Sequence, residues 1–358
     1  MKKLLALLLA LAMMLTLTAC GGSGNTKDEP AEEESNAEEA VDAAEEEPAD
    51  EAEEPAEEEN ADEAAADASY LVGICQLAPH VALDAANQGF QDALTEALGD
   101  AVTFDDQNAG GEDANCATIV DGFVAENVDL MLTIATSPLQ AAAAATDSIP
   151  VLGTAVTDYA TALGIEDWTG TVGNNVSGTS DLPPLDEQAA MVQELFPDAK
   201  NVGLIYCSGE PNSIYQVTAV KGYLEEMGYT CTNYPFTDVN DLQSVVESAC
   251  DGSDVLYVPT DNTAANNTES IANVVLSKGV PVVAGEEGIC AGCGVVTLSI
   301  SYYDLGYATG QMAAQILTGE ADVSEMAVQY APEVTKKYNA ANCEALGITV
   351  PDDYVVIE

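Results

Sequence analysis

Leu130-Met131-Leu132-Thr133-Ile134, followed by Ala135-Thr136-Ser137-Pro138-Leu139-Gln140 and a run of alanines, and then Pro150-Val151-Leu152-Gly153-Thr154-Ala155-Val156, form the stretch that decides the fold. The first and last runs are almost continuously apolar, as strands covered on both faces must be. Between them, Ser137 and Pro138 open a helix that runs to Ala145, with a hydroxyl and a proline where a first turn accepts them. A strand, a helix and a second strand in so few residues is the unit of a parallel sheet.

The unit repeats in both directions. Upstream, residues 71–74 read as a strand and 83–98 as a helix carrying Leu83, Phe90, Leu94 and Leu98, stopped by Gly99. Residues 101–104 are the next strand and 113–127 the next helix, with Ile119, Val120, Phe123 and Val124 on one face. Residues 170–184, rich in Gly, Asn, Ser, Thr and Pro, interrupt the alternation. It then resumes: helices over 186–195, 213–227, 241–249 and 267–277 alternate with strands over 201–206, 230–234, 254–258 and 280–284. The fold class is therefore α/β, two Rossmann-like lobes with parallel sheets joined by a hinge at the interruption. A strand over 295–300 and a helix over 302–317 are expected to return to the first lobe, and a helix over 340–346 and a strand over 354–357 to the second. The expected lobes are 70–178 with 286–319, and 179–285 with 320–358. In open sheets of this kind ligands gather at the carboxyl ends of the strands, so the site belongs in the cleft between the lobes.

The chain begins with Met1-Lys2-Lys3, an apolar core, and Leu17-Thr18-Ala19-Cys20-Gly21. This is the form of a secretory signal, too short in its core to span hydrocarbon. The Leu-Thr-Ala-Cys tetrapeptide resembles the bacterial lipobox, which makes Cys20 the lipidated N-terminus of the mature chain, residues 1–20 being removed. Two acyl chains there suffice for lasting attachment. Residues 21–69 are almost wholly Gly, Ser, Glu, Asp, Ala and Pro and are expected to be a disordered acidic tether, roughly 40 Å across as an ideal coil.

Charge excludes several functions. The formal net charge is −54, all eight basic residues are Lys, and there is no Arg. No basic stripe exists to displace counterions from nucleic acid or to adhere to anionic lipid. A phosphate loop, a nucleophile elbow and a metal cluster are all missing, and His80 is the sole histidine, so no catalysis and no cofactor are expected. Eight cysteines follow Cys20, an even number that permits disulfides in an exported chain. Cys290-Ala291-Gly292-Cys293 lacks the further ligands of a structural zinc and reads as a local disulfide or two unpaired thiols.

Over residues 70–358 the chain resembles the type I solute-binding proteins of ABC transporters, in their tryptophan-binding-protein-like branch. The likeness rests on the order and spacing of several stretches. Among them are Gly89-Phe90, Ala135-Thr136-Ser137-Pro138-Leu139-Gln140, Ala155-Val156-Thr157-Asp158, Glu210-Pro211-Asn212-Ser213, Val258-Pro259-Thr260-Asp261-Asn262, Gly285-Glu286-Glu287-Gly288 and Tyr302-Tyr303-Asp304-Leu305-Gly306. The chain departs from the family at Ser137 and at Tyr159, where proline is common after the aspartate. The resemblance implies capture of a small solute, foremost an amino acid, and its delivery to an ABC permease by a monomer held on the outer face of a Gram-positive-type membrane. A sugar, a nucleoside or another neutral solute, or service as a sensor for a signalling partner, are the alternatives.

Without Arg, a ligand carboxylate has to be met by backbone N–H groups and hydroxyls at helix N-termini, for which Thr136, Ser137 and Thr157 are placed. An ammonium needs a carboxylate; Glu286, favoured by the resemblance, then Asp261, Asp158 and Glu287 end strands facing the cleft. Asn212, Ser213 and Asn262 add polar contacts, and His80 stands at the cleft mouth. Tyr159, Tyr215 and Tyr302 are candidates to cover an aromatic ligand, and Trp168 for packing beside the hinge.

Overall fold

A computed structural model describes residues 69–331 and 333–357. The signal segment, Cys20 and the acidic tether lie outside the described residues. Among the described residues, no helix is long and apolar enough to cross a membrane.

In chain order the first half runs β1 (Tyr70–Gln76), α1 (Val81–Leu98), β2 (Val102–Asn108), α2 (Asp113–Glu126), β3 (Leu130–Ile134), α3 (Thr136–Ala145), β4 (Val151–Val156), α4 (Tyr159–Leu163) and β5 (Val176–Ser180). The second half runs α5 (Leu185–Leu195), β6 (Asn201–Cys207), α6 (Pro211–Glu226), β7 (Thr230–Phe236), α7 (Val239–Gly252), β8 (Val255–Val258), α8 (Asn262–Ala265), α9 (Thr268–Lys278), β9 (Val282–Ala284) and α10 (Glu287–Gly292). The remainder is β10 (Val296–Ser299), α11 (Tyr302–Leu317), β11 (Gln329–Tyr330), β12 (Thr335–Tyr338), α12 (Ala340–Leu346) and β13 (Val355–Val356).

Two sheets result, ordered β11-β5-β4-β3-β1-β2 and β13-β12-β10-β9-β8-β6-β7. The five strands β1–β5 of one sheet and β6–β10 of the other follow one winding rule: the first strand of each half lies between its second and third. In both sheets the order therefore reverses beside that first strand, β1 in one and β6 in the other, where ligand crevices form. Every pair is parallel except β10 with β12. Strands β3, β4 and β8 are buried along their whole length, because helices cover both faces.

Three segments cross between the sheets: Ser180 to Leu185, Ser299 to Tyr302, and the connection from β11 to β12. They correct the expected lobe boundaries. Strand β10 joins the second sheet through β9, so of the expected strand and helix over 295–317 only the helix, α11, returns to the first lobe. Strand β11 adds to the first sheet beside β5, although residues 320–358 were expected in the second lobe. The cause is the same in both cases: a chain crossing three times alternates lobes within a few residues, and local pattern carries no record of which sheet a strand joins.

The supposed seam also contains a strand. β5 reads Val-Ser-Gly-Thr-Ser yet is buried throughout. Its hydroxyls are satisfied inside: Thr179 meets Thr154 at 3.0 Å and Thr309 at 2.8 Å, and Ser177 donates to the Met326 carbonyl at 3.0 Å.

Helices α1 and α11 pack backbone against backbone. A Cβ on Gly306 would lie 1.9 Å from the Ala86 carbonyl oxygen, and one on Gly89 would lie 2.1 Å from that of Tyr303. Only glycine permits this approach. It fixes the start of α11, where the second crossing enters the first lobe, to the helix that opens beside the cleft.

Candidate functional site

The carboxyl ends of both sheets converge on one enclosed cavity. The first lobe contributes His80, Ala82 and Leu83 after β1, Ala155 and Thr157 at the end of β4, and Asp181 after β5. Opposite stand Asn212 in α6, Thr260, Asp261 and Asn262 after β8, Ala265, and Glu286 after β9, with Tyr302 entering from the second crossing. The register of β4 against β5 shifts between Gly153 and Val156, and Ala155 there has φ +53°. Such bulges re-aim side chains beside binding sites. The enclosed space is only about 10 Å³, room for one water.

The lobes touch across this space. His80 Nε2 lies 3.3 Å from Asn262 Oδ1, and Gln216 Nε2 donates to Thr157 Oγ at 3.5 Å. Asn262 Nδ2 donates to Glu210 at 3.0 Å, so its amide oxygen is the end turned to the ring. His80 must therefore carry its hydrogen on Nε2. Burial lowers the His80 pKa from its ordinary 6.5, against the pull of Asn262, Asp84 and Glu210 toward the charged form.

Three buried carboxylates line the cavity and a fourth, Glu210, stands behind Asn262; three of the four are committed to their own lobe. Asp261 accepts the Cys207 N–H at 2.6 Å and the Ala264 N–H at 2.8 Å, tying the end of β6 to α8. Glu286 caps α10, accepting the Gly288 N–H at 2.6 Å and the Ile289 N–H. Glu210 takes the backbone N–H groups of Asn262 and Thr263, each at 2.9 Å, and the Thr263 hydroxyl at 2.8 Å. Burial, and then Glu210, push Asp261 up to about 8 despite its two backbone donors. Burial pushes Glu286 up to about 7 against the Gly288 and Ile289 N–H groups.

Asp181 is different. Its Oδ2 accepts the Tyr302 hydroxyl at 2.9 Å, while Oδ1 is buried with no hydrogen-bond partner among the described residues. The residue is 3% exposed. Burial raises its pKa, opposed by the Tyr302 and Thr157 hydroxyls. A buried acceptor without a donor costs on the order of 1–3 kcal/mol, more when charged, unless a ligand supplies the donor.

Of the residues read from the sequence, His80, Thr157, Asn212, Asp261, Asn262 and Glu286 thus come together, with Tyr302. The others do not line the cavity. Thr136 and Ser137 form the first turn of α3, which starts one residue earlier than expected and has Ala135 as its N-cap. Asp158 caps α4 through the Thr161 N–H at 2.7 Å. The Ser213 hydroxyl donates to Glu210 at 3.4 Å. Glu287 accepts Ser299 and Lys337. Tyr159 is buried with its hydroxyl on the Gly153 and Thr179 carbonyls, Tyr215 lines a separate groove with Pro211 and Ile214, and Trp168 packs on the first-lobe core. Sequence reasoning missed Asp181 and Glu210. Asp181 directly follows Ser180, and an acid at a strand end was the signal once β5 is seen as a strand.

All eight cysteines of the described residues are free thiols, Cys290 and Cys293 included. Among those residues no group of His, Cys, Asp and Glu is arranged to hold a metal.

Comparison with known proteins agrees with this architecture. The chain is 35% identical over 252 residues, 70% of its length and 73% of the relative's, to a tyrosine-binding protein of Clostridioides difficile (strain R20291). It is similar to an ABC domain from Streptococcus pneumoniae solved in complex with L-Trp, with 31% identity and a TM-score of 0.77 over 81% of this chain and 100% of that one. A substrate-binding protein with adhesive properties from Clostridium difficile, in its ligand-free, open structure, is 34% identical with a TM-score of 0.63, over 81% and 99%. The lower score against the open form accords with lobes drawn together here. The family model for ABC transporter substrate binding proteins matches residues 71–357. Two wound lobes of the type I periplasmic-binding-protein fold, a cavity at their facing strand ends and that match over the whole described region place this chain in the ABC transporter substrate-binding family, whose members bind rather than catalyse.

Proposed function

We propose that this chain captures an amino acid, aromatic by preference, in the interlobe cavity and delivers it to an ABC permease as a monomer. The observation that carries the reading is Asp181, which lines the cavity and whose Oδ1 is buried with no hydrogen-bond partner within reach among the described residues. An ammonium group satisfies it, where a sugar or a nucleoside brings only neutral donors. Relatives named for tyrosine or solved with L-Trp support an aromatic side chain. Tyr302 and the small residues Ala82, Ala155 and Ala265 offer a ring somewhere to lie once the lobes part.

The same proposal includes the anchor. The Leu17-Thr18-Ala19-Cys20 motif supports lipidation at Cys20, and the acidic stretch after it supports a leash that keeps the receptor near its permease on the outer face of a Gram-positive-type membrane. Calorimetry with tyrosine, tryptophan and phenylalanine against branched amino acids, sugars and nucleosides tests the ligand class. Binding of a sugar or nucleoside but no amino acid would overturn it. Release of a Cys20→Ala protein into the medium, with binding intact, tests the anchor.

A further inference from the structure

Gly73 and Cys75 share one face of β1, because side chains alternate along a strand. That face packs on α2: a Cβ on Gly73 would lie 2.6 Å from the Phe123 ring. Cys116 stands about two helical turns before Phe123 and so on the same side of α2. The loop before α2 sets the height of the helix on the strand. The Ala109 N–H donates to the Gln76 carbonyl and the Gly111 N–H to that of Leu77, each at 2.8 Å, which holds the first turn of α2 over the end of β1. Both cysteines are 0% exposed, inside one apolar cluster. There the Cys75 thiol donates to the Cys116 sulfur, which raises the Cys75 pKa and lowers that of Cys116.

The other six cysteines of the described residues are not matched in this way. Cys207, Cys293 and Cys343 direct their thiols to the carbonyls of Thr237, Ile289 and Val295, at 3.8, 3.3 and 3.5 Å. Cys290 has only Cys293 and Cys343, both so turned, as thiol neighbours. No thiol acts on Cys231 or Cys250.

We propose that Cys75 and Cys116 are joined by a disulfide in the exported protein, while the other six cysteines stay thiols. This rests on the export reading above. The two thiols give up two protons and two electrons, and the electrons pass to a disulfide of an extracytoplasmic thiol–disulfide oxidoreductase. One thiolate attacks a sulfur of that disulfide and releases the other sulfur as a thiol. The second thiolate attacks the resulting mixed disulfide, closes the Cys75–Cys116 bond and frees the oxidoreductase as a dithiol. Since both sulfurs are out of solvent in the folded chain, the exchange belongs to the newly secreted chain, before α2 settles on β1. The bond ties the end of β1, just ahead of His80, to α2 and closes a loop that holds all of α1 and β2.

The test maps the thiols of the full chain recovered from the cell envelope. The protein is quenched in acid, denatured without reductant and alkylated with iodoacetamide. It is then reduced, alkylated with N-ethylmaleimide, digested and read by mass spectrometry. Cys75 and Cys116 are expected to carry the second label and the other six the first. The first label on Cys75 and Cys116 in a chain whose N-terminus is Cys20, or a bond from either to another cysteine, overturns the inference. A chain recovered uncut at Cys20 would mean that the export reading fails. The pairing is then decided by refolding the reduced full chain in mixed reduced and oxidised glutathione: a Cys75–Cys116 bond sustains it, and two free or glutathione-capped thiols overturn it.

Discussion

His80 Nε2 and Asn262 Oδ1 meet at 3.3 Å, one from each lobe, and Glu210 fixes which end of the Asn262 amide faces the ring. The contact needs only a neutral imidazole, and burial lowers the pKa from 6.5. A depressed pKa contributes stability that is present above the unfolded value and is lost as pH falls through the folded one. Asn262, Asp84 and Glu210 all face the ring and oppose the shift without reversing it. His80→Gln is therefore expected to lose less stability than the unaltered protein between pH 7 and pH 5. Urea unfolding at both pH values measures this, and identical losses would count against the latch.

Asp181→Asn keeps the shape of the side chain and removes its charge. Ammonium recognition depends on that charge, so affinity for the amino acid is expected to fall about 10- to 100-fold, the scale of a charged hydrogen bond. Stability is expected to hold or rise, since an unpaired buried acceptor loses its charge. Calorimetry and thermal unfolding on the same sample separate the two effects. A variant that binds normally would remove Asp181 from the site.

Glu286 titrates in the opposite sense to His80. Its pKa is raised to about 7, so its contribution is complete below the ordinary carboxylate range and is lost as pH rises through about 7. Glu286→Gln is expected to remove part of the stability difference between pH 5 and pH 8, as read from unfolding midpoints. An unchanged difference would mean that the carboxylate stays ionised throughout.

Gly306→Ala tests the packing of α1 on α11. The new methyl would begin 1.9 Å from the Ala86 carbonyl oxygen, and backbone rather than a flexible side chain has to move. Overpacking of this kind costs about 1–3 kcal/mol or more, so the thermal midpoint should drop by several degrees. At the exposed Gly222, where a Cβ meets nothing within 4 Å, the same substitution is expected to stabilise α6 slightly.

Most helices and the central strands were legible because covered strands and amphipathic helices leave periodic traces. The strand over Leu130–Ile134 and the helices over Tyr302–Leu317 and Ala340–Leu346 have the bounds the pattern predicts. β5 was not legible, since its hydroxyls find partners such as Thr309, 130 residues away in sequence. The site was half legible for a related reason. Acids at strand ends mark the cavity wall, but whether an acid caps a helix or waits for a ligand depends on which N–H groups lie within reach. Asp261 and Glu286 are spent on such groups, while Asp181, hidden in an apparent loop, is not.

A chamber with room for about one water imposes an order of events on uptake. No amino acid enters until the His80–Asn262 and Thr157–Gln216 contacts let go, so the closed form acts as a gatekeeper in time as well as in space. The observed association rate should climb with ligand concentration and then level off at the frequency with which the lobes come apart. Scarce solute would be taken up as fast as it arrives; abundant solute would wait on the protein's own clock.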